Sequence, residues 1–229
     1  KETKMDTAAA GTATNAALRR HTLGDMLRRT AQRVPGKTAI VCGAVSWTYA
    51  EFDRIVNRLA RGLMAEGIGG GDRVAVLSRN SHAFAAIRFA LARIGAVLVP
   101  INFMLNAEEC AFILKSAGAK ALAMGPDFVE LGRAAAAKDT AVERLWWLPG
   151  ETEAAPPPGL TTFDALLAND PSAPDIALDA RMLAQIVYTS GTESLPKGAM
   201  LTHEAVAWEY VSCIVEGEMA AGDTMLHAL

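Results

Sequence analysis

The sequence predicts an α/β fold built on an open, doubly wound, mostly parallel sheet. Short apolar runs typical of buried strands alternate along the chain with longer segments whose apolar residues recur at helical spacing. A strand, a helix and a further strand in succession favour parallel pairing, because the crossover returns the chain to the same edge of the sheet. The 229 residues are 51% hydrophobic, which is enough for a sizeable buried core.

The first ordered elements are predicted from residue 22 onward. Thr22 can cap a helix that carries its apolar residues on one face. A strand from Thr38 to Cys42 follows, and Gly43 turns the chain into a second strand from Val45 to Trp47. The pattern therefore predicts a helix followed by a short hairpin.

A capping box predicts the next helix. Thr48 and Glu51 stand at the spacing at which each side chain satisfies a free backbone N–H group of the other. Apolar residues at helical spacing follow: Phe52, Ile55, Leu59, Leu63 and Met64. The glycine-rich segment 67–71 ends this helix, and residues 73–77 form the next predicted strand.

The alternation continues to residue 148. Asn80 or Ser81 caps a helix, a strand is predicted over residues 96–101, and Asn106 with Glu109 repeats the capping box. Two more strands are predicted over residues 119–124 and 144–148, with a helix between them. This is the succession expected of a doubly wound layer.

Composition divides the chain into four predicted parts. Residues 1–21 are expected to be a flexible leader and residues 22–150 a first α/β subdomain. Residues 151–178 are rich in proline and alanine and are expected to be a linker or surface excursion with one short helix. Residues 179–229 are expected to begin a second α/β subdomain, with a strand at 184–187, a helix capped by Thr202 and a strand from residue 224.

Charge and cysteine usage exclude several classes of function. A net charge of -3 and the lack of a long basic tract give no reason to expect nucleic-acid binding. The most apolar window, residues 83–100, is interrupted by Arg88 and Arg93, so no transmembrane segment is predicted. Cys42, Cys110 and Cys213 are widely spaced and odd in number, which indicates reduced thiols in a cytoplasmic protein.

The segment 188–198, which reads Y-T-S-G-T-E-S-L-P-K-G, is the candidate phosphate loop. Hydroxyl groups can donate to phosphate oxygens, glycines allow backbone N–H groups to approach an anion, and a lysine supplies positive charge. The candidate binding residues are Thr189, Ser190, Gly191, Thr192, Glu193 and Lys197. A P-loop NTPase instead places its lysine directly after the second glycine, whereas Lys197 precedes Gly198 here.

This segment resembles the signature loop of the adenylate-forming superfamily, which includes acyl-CoA synthetases, luciferases and peptide-synthetase adenylation domains. The usual pattern is Y-T-S-G-T-T-G-x-P-K-G, and the chain matches eight of its ten specified positions. Other stretches resemble sequence segments typical of the family: W-T-Y-A-E-F, G-D-R-V-A-V-L, G-A-V-L-V-P-I-N and G-A-M-L-T-H. The resemblance implies the N-terminal part of the family's large domain and is closest in phrasing to fatty-acid-CoA ligases.

The resemblance implies a two-step reaction with ATP, Mg²⁺ and coenzyme A. A carboxylic acid, expected to be a fatty acid, attacks the α-phosphate of ATP to give an acyl-adenylate and pyrophosphate, and coenzyme A then displaces AMP. No catalytic or metal-ligating residue is assigned within this chain, because those family positions fall after Leu229. The fragment alone is therefore expected to be inactive, and a truncated sheet edge favours pairing into a homodimer.

Two departures from the pattern leave alternatives open. Glu193 stands where a threonine is usual, and Ser194 stands where a glycine is usual. A carboxylate beside an anion cradle opposes phosphate binding unless it points away or helps to hold a metal ion. The alternatives are a carrier-loading adenylation domain, a luciferase-like enzyme, or a non-catalytic nucleotide-binding or interaction module with a degenerate loop.

His203 is expected to be a partly exposed surface residue at a helix start.

Overall fold

A computed structural model describes residues 21–189 and 196–227. The helices in these ranges are α1 (Leu23–Arg33), α2 (Tyr49–Ala65), α3 (His82–Ile94), α4 (Ala107–Ala117), α5 (Val129–Ala136) and α6 (His203–Glu216). The strands are β1 (Thr38–Cys42), β2 (Val45–Thr48), β3 (Arg73–Leu77), β4 (Val97–Pro100), β5 (Ala121–Met124), β6 (Arg144–Trp147), β7 (Thr161–Thr162), β8 (Leu183–Thr189) and β9 (Lys197–Thr202). Short 3₁₀ turns lie at Pro126–Phe128 and Asp164–Leu166.

Seven strands form the main sheet in the order β7-β6-β5-β3-β4-β8-β9. Every neighbouring pair from β7 to β8 is parallel, and β8 with β9 is antiparallel. β1 and β2 form a separate antiparallel hairpin. The predicted open, mostly parallel α/β sheet is therefore confirmed. β4 is added on one side of β3, and β5 is then added on the other side. The order in which strands are added therefore reverses there, and the topological switch point lies beside β3.

Helices cover both faces of the central strands. Val74 and Val76 of β3 point into the core formed with α2 and α3, whereas Ala75 and Leu77 point into the core formed with α4. The same alternation separates Trp146 from Trp147 on β6. Successive side chains of a strand face opposite sides of a sheet, so two buried faces need a nearly continuous apolar run. The run R-V-A-V-L supplies it.

The predicted helix starts have the geometry that their sequences indicate. Thr48 and Glu51 form a complete capping box at the start of α2, and Asn106 and Glu109 form another at the start of α4. The Ser81 hydroxyl accepts from the Phe84 N–H and caps α3. These local hydrogen bonds satisfy N–H groups that have no partner inside the helix, so the sequence alone locates them.

Three features differ from the sequence expectation. β9 is a strand that the sequence did not indicate, because Lys197 and Gly198 belong to the predicted loop and no element is predicted for residues 199–201. Residues 224–227 are not a strand. Within the proline-rich excursion, Phe163 and Leu166 are core residues, and the Arg58 guanidinium donates to the Ala168 carbonyl oxygen at 2.7 Å.

The helices in the described ranges include none with both the length and the apolar character needed to cross a membrane.

Candidate functional site

The candidate phosphate loop joins two strands of one antiparallel hairpin. β8 and β9 pair in register from Leu183 and Thr202 at one end to Thr189 and Lys197 at the other. Thr189 and Lys197 are thus directly opposite each other, and both are exposed. The hairpin brings a hydroxyl donor and a positive charge, eight positions apart in sequence, to the same tip.

The tip lies at the carboxyl edge of the sheet. β8 runs parallel to β4, so Thr189 ends β8 on the side where the parallel strands also end. Open α/β sheets bind their ligands in the crevice outside these carboxyl ends. The position of the hairpin tip therefore agrees with a ligand-binding role.

The structure accounts for some candidate residues and leaves others outside the described ranges. Ser190, Gly191, Thr192 and Glu193 lie outside them, as does Ser194. Lys197 makes no ion pair with another residue of the described ranges. Thr189 and Lys197 are the two candidates whose relative placement is fixed.

Gly198 has a different role from the one expected. The loop pattern predicts that Gly198 lets backbone N–H groups approach an anion, but Gly198 lies within β9 and has no left-handed backbone. A Cβ atom at Gly198 would lie 2.7 Å from Cγ2 of Ile186 and 3.0 Å from Cζ of Tyr188. Glycine is needed here because the side chains of β8 occupy the space beside it.

Tyr188 anchors the hairpin near its tip, a role that the sequence did not reveal. Its hydroxyl donates to the Ser116 hydroxyl at 2.9 Å, which ties β8 to the last turn of α4. The two residues are 72 positions apart, so no local pattern signals the contact. Thr189 therefore follows a side chain that is fixed to the body of the protein.

His203 is buried, contrary to the expectation of a partly exposed surface residue. It is the first residue of α6 and has no exposed surface. Its Nδ1 atom accepts a hydrogen bond from the Leu23 N–H at 3.4 Å, which links the start of α6 to the start of α1. Burial lowers the pKa of the imidazole, and the Asp25 carboxylate partly offsets that shift.

The part of the chain that the structure describes holds no group of three or more His, Cys, Asp or Glu residues placed to hold a metal ion. Among these residues, the hairpin tip supplies a hydroxyl and an ammonium group for an anionic ligand. Chemically, the tip can bind and orient a phosphate group.

Comparison with known proteins identifies the family. The model of the family described as AMP-binding enzyme matches residues 27–229. This chain belongs to that family. The resemblance inferred from the signature loop is thereby confirmed, and the family includes acyl-CoA ligases among the chain's relatives.

Two relatives and one solved structure illustrate the similarity. A feruloyl-CoA synthase from Amycolatopsis sp. is 37% identical over 212 residues, which cover 92% of this chain and 39% of that protein. A fatty acid–[acyl-carrier-protein] ligase from Streptomyces coeruleorubidus is 36% identical over 176 residues, which cover 76% of this chain and 32% of that protein. The structure of a fatty acyl CoA synthetase from Mycobacterium tuberculosis matches with a TM-score of 0.67 and 33% identity, over 80% of this chain and 35% of that one.

The chain thus spans less than half of the length of these relatives. In each comparison most of this chain is matched. The similarity therefore concerns one portion of the relatives.

Proposed function

We propose that this chain is the phosphate-binding portion of an ATP-dependent carboxylate-CoA ligase. The observation that carries the proposal is the hairpin tip, where Thr189 and Lys197 face each other at the carboxyl edge of a parallel sheet in an AMP-binding family member. Ser190, Gly191, Thr192 and Glu193 complete the proposed loop between them. The ligands are MgATP, a carboxylic acid and coenzyme A.

The proposed reaction needs stabilisation of the charge that develops on the leaving pyrophosphate. An oxygen of the acid's carboxylate attacks the α-phosphate of ATP, and the bond between the α-phosphate and its bridging oxygen breaks to release pyrophosphate. Lys197 would hold the β and γ phosphates by charge, and the hydroxyl of Thr189 would donate to a phosphate oxygen. Magnesium, when bound with the nucleotide, supplies further charge neutralisation.

The second step transfers the acyl group to a thiol. The sulfur of coenzyme A attacks the acyl carbon of the adenylate, AMP leaves, and the thiol proton passes to a base. We assign no residue of this chain to that base. The 229-residue chain is therefore expected to bind MgATP without completing the reaction.

A fatty acid is the proposed substrate, and aromatic acids are the main competitors. The fatty-acid proposal rests on the phrasing P-I-N-F-M-L and K-G-A-M-L-T-H-E and on similarity to the M. tuberculosis fatty acyl CoA synthetase. Similarity to a feruloyl-CoA synthase supports aromatic acids equally well. A panel of both acid types, tested for acid-dependent exchange of pyrophosphate into ATP on the native polypeptide that carries this sequence, separates them. Exchange with none of the acids would contradict the ligase proposal.

Titration of the chain with MgATP tests the site directly. Calorimetry should show that Lys197→Ala weakens MgATP binding by about ten- to a hundredfold, the effect of losing one charge-assisted hydrogen bond. Lys197→Arg keeps the positive charge, so it should weaken MgATP binding less than Lys197→Ala does. Lys138→Ala, which removes a surface lysine paired with Glu108, is the matched control and should leave affinity unchanged. Equal affinity of the wild type and Lys197→Ala would remove Lys197 from the site.

One relative favours a second candidate function. Similarity to a fatty acid–[acyl-carrier-protein] ligase supports transfer of the acyl group to a carrier protein in place of coenzyme A. Product analysis of the native polypeptide with either acceptor distinguishes the two: a carrier-loading enzyme forms little acyl-CoA.

A degenerate loop in a non-catalytic module is the remaining alternative. Replacing Glu193 by Thr and Ser194 by Gly restores the usual pattern. MgATP binding that is seen only in this double variant would support the degenerate loop, whereas equal binding by the wild type would exclude it.

A further inference from the structure

His203 occupies a point where the N-termini of two helices meet. It is the first residue of α6, and its ring lies against the first residue of α1, Leu23. The imidazole has no exposed surface. Its contact partner is 180 positions away in sequence, so this single side chain joins the two ends of the described fold.

The hydrogen bond defines the protonation state of the ring. Leu23 is at the start of α1, where backbone N–H groups have no partner within the helix. Nδ1 of His203 accepts from the Leu23 N–H, so Nδ1 must carry a lone pair and the proton of the neutral ring must be on Nε2. Nε2 is buried and has no hydrogen-bond partner among the residues that the structure describes.

The surroundings oppose an imidazolium. The positive ends of α1 and α6 both lie at the ring, and burial removes water from it. The group that favours an imidazolium is the carboxylate of Asp25 in α1. This carboxylate already accepts a hydrogen bond from the Thr22 hydroxyl and pairs with Arg28. The adjoining segments also carry charged groups, which include Arg29 and Arg33 of α1, Arg88 and Arg93 of α3, Asp179 and Arg181 before β8, and Glu204, Glu209 and Glu216 of α6. Burial prevails, and the pKa of His203 is lowered.

The ring also lies at the base of the hairpin that carries the candidate site. Thr202, the residue before His203, pairs with Leu183 at the start of β8. The His203 N–H donates to the Met182 carbonyl oxygen at 3.1 Å. A small apolar cluster of Leu23, Ala92, Ala184 and Val206 packs at the same place. Any movement between α1 and the hairpin must therefore break the contact at His203.

We propose that His203 is a positioning residue whose neutral imidazole pins the start of α1 to the base of the β8–β9 hairpin, and that its protonation releases this contact. Protonated Nδ1 would point a donor at the Leu23 N–H, and two donors cannot form a hydrogen bond. The docking follows from the fold alone. It does not depend on the proposed function.

Amide hydrogen exchange at Leu23 tests the proposal without nucleotide. Exchange is followed by NMR between pH 8 and pH 5.5, corrected for intrinsic rates, with the buried amide of Val76 in β3 as the internal reference for global unfolding. In the wild type, protection of Leu23 should fall by about fivefold toward the acid end, the effect of one lost hydrogen bond. The change in Val76 protection over the same range shows how far global unfolding alone responds to acid.

Two variants separate positioning from packing. His203→Asn places an acceptor oxygen as many bonds from the Cα atom as Nδ1 and cannot be protonated in this range, so protection of Leu23 should become independent of pH. His203→Leu removes the acceptor and should give low protection throughout. His82→Asn is the matched control, because His82 is a second buried histidine at a helix start with a pKa lowered by burial. It should leave the Leu23 profile as in the wild type.

The outcomes are distinct. Equal pH profiles for the wild type and His203→Asn, or full protection of Leu23 in His203→Leu, would overturn the proposal. MgATP affinity is then measured on the same samples. If protection of the Leu23 amide depends on pH in a protein that does not bind MgATP, the positioning role of His203 stands and the proposed function is rejected.

Discussion

The central strands and the β8–β9–α6 segment are both rich in apolar residues, but they differ in how far these residues are buried. Residues 74–77 of β3 have no exposed surface, and the neighbouring strands β4 and β5 are almost as buried. In the hairpin unit, defined as residues 183–189 and 197–216, β9 is exposed over its first four residues, and His203 and Val206 are the buried residues of α6. Trp208 is 63% exposed and Val215 is 66% exposed.

This contrast separates the buried sheet that stabilises the fold from the more exposed segment that carries the candidate site. The central strands are covered by helices on both faces, so their apolar side chains contribute to stability. The hairpin unit joins the sheet through β8, which pairs with β4, and its other attachments include hydrogen bonds of Tyr188 with Ser116, His203 with Leu23, and Arg88 with Tyr210. Substitutions in the two regions should therefore differ in their effect on unfolding.

The largest difference is expected between two tryptophans. Trp146 of β6 is fully buried between α2 and α3 and the sheet, whereas Trp208 of α6 is exposed. Trp146→Ala should lower the free energy of unfolding by about 3–5 kcal/mol, because it removes a large core side chain and leaves a cavity. Trp208→Ala should change it by less than about 0.5 kcal/mol.

Urea unfolding followed by far-ultraviolet circular dichroism measures both variants without depending on tryptophan fluorescence. A loss of several kcal/mol for Trp208→Ala would show that the exposed face of α6 contributes to the stability of this chain. The distinction between the two regions would then be wrong.

A smaller effect is expected from Gly62, which brings α2 against the 3₁₀ turn Asp164–Leu166. A Cβ atom at Gly62 would lie 1.6 Å from the Leu166 carbonyl oxygen, so the turn or the helix must move. Gly62→Ala should destabilise the protein by about 1–3 kcal/mol in spite of alanine's better helix propensity. The same urea measurement checks it.

Gly36→Ala is the matched control, because nothing lies within 4 Å of a Cβ atom there. Its effect should be close to zero. If Gly62→Ala were equally neutral, the turn at Asp164–Leu166 would not be packed against α2, and the excursion would be attached less firmly than the structure shows.

The sequence predicted the elements whose cause is local. The capping boxes at Thr48 and Asn106 and the strand at residues 73–77 were located correctly, because the hydrogen bonds and the apolar run that define them lie within a few residues. β9 was missed, since its strand character comes from pairing with β8 and not from its own residues. The core positions of Phe163 and Leu166 were also missed, because a proline-rich composition indicates a surface segment.

The candidate site shows the same limit. The signature loop identified the family and placed Thr189 and Lys197 in one motif, but their direct pairing across the hairpin depends on the register of β8 and β9. The burial of His203 depends on α1, 180 positions earlier in the chain. A histidine after a helix cap has no sequence feature that distinguishes such a buried contact from a surface position.

The smallest effect is expected from acid, and it involves both regions through His82 and His203. Burial lowers the pKa of each histidine, while Asp164 and Asp25 respectively offset part of the shift. Their contribution is fully present above the unfolded pKa of about 6.5 and is lost as pH falls below it, because the unfolded chain then binds protons that the folded chain does not. The free energy of unfolding should fall by at most about 1.4 kcal/mol per pH unit for each histidine. Urea titrations between pH 7.5 and 5.5 on the wild type, His82→Asn and His203→Asn should show a shallower slope in each variant. The His82 ring packs against Trp47 beside the main core, whereas His203 joins the hairpin unit to α1. A change in slope with His82→Asn alone would therefore mean that the hairpin unit opens before the rest of the fold unfolds.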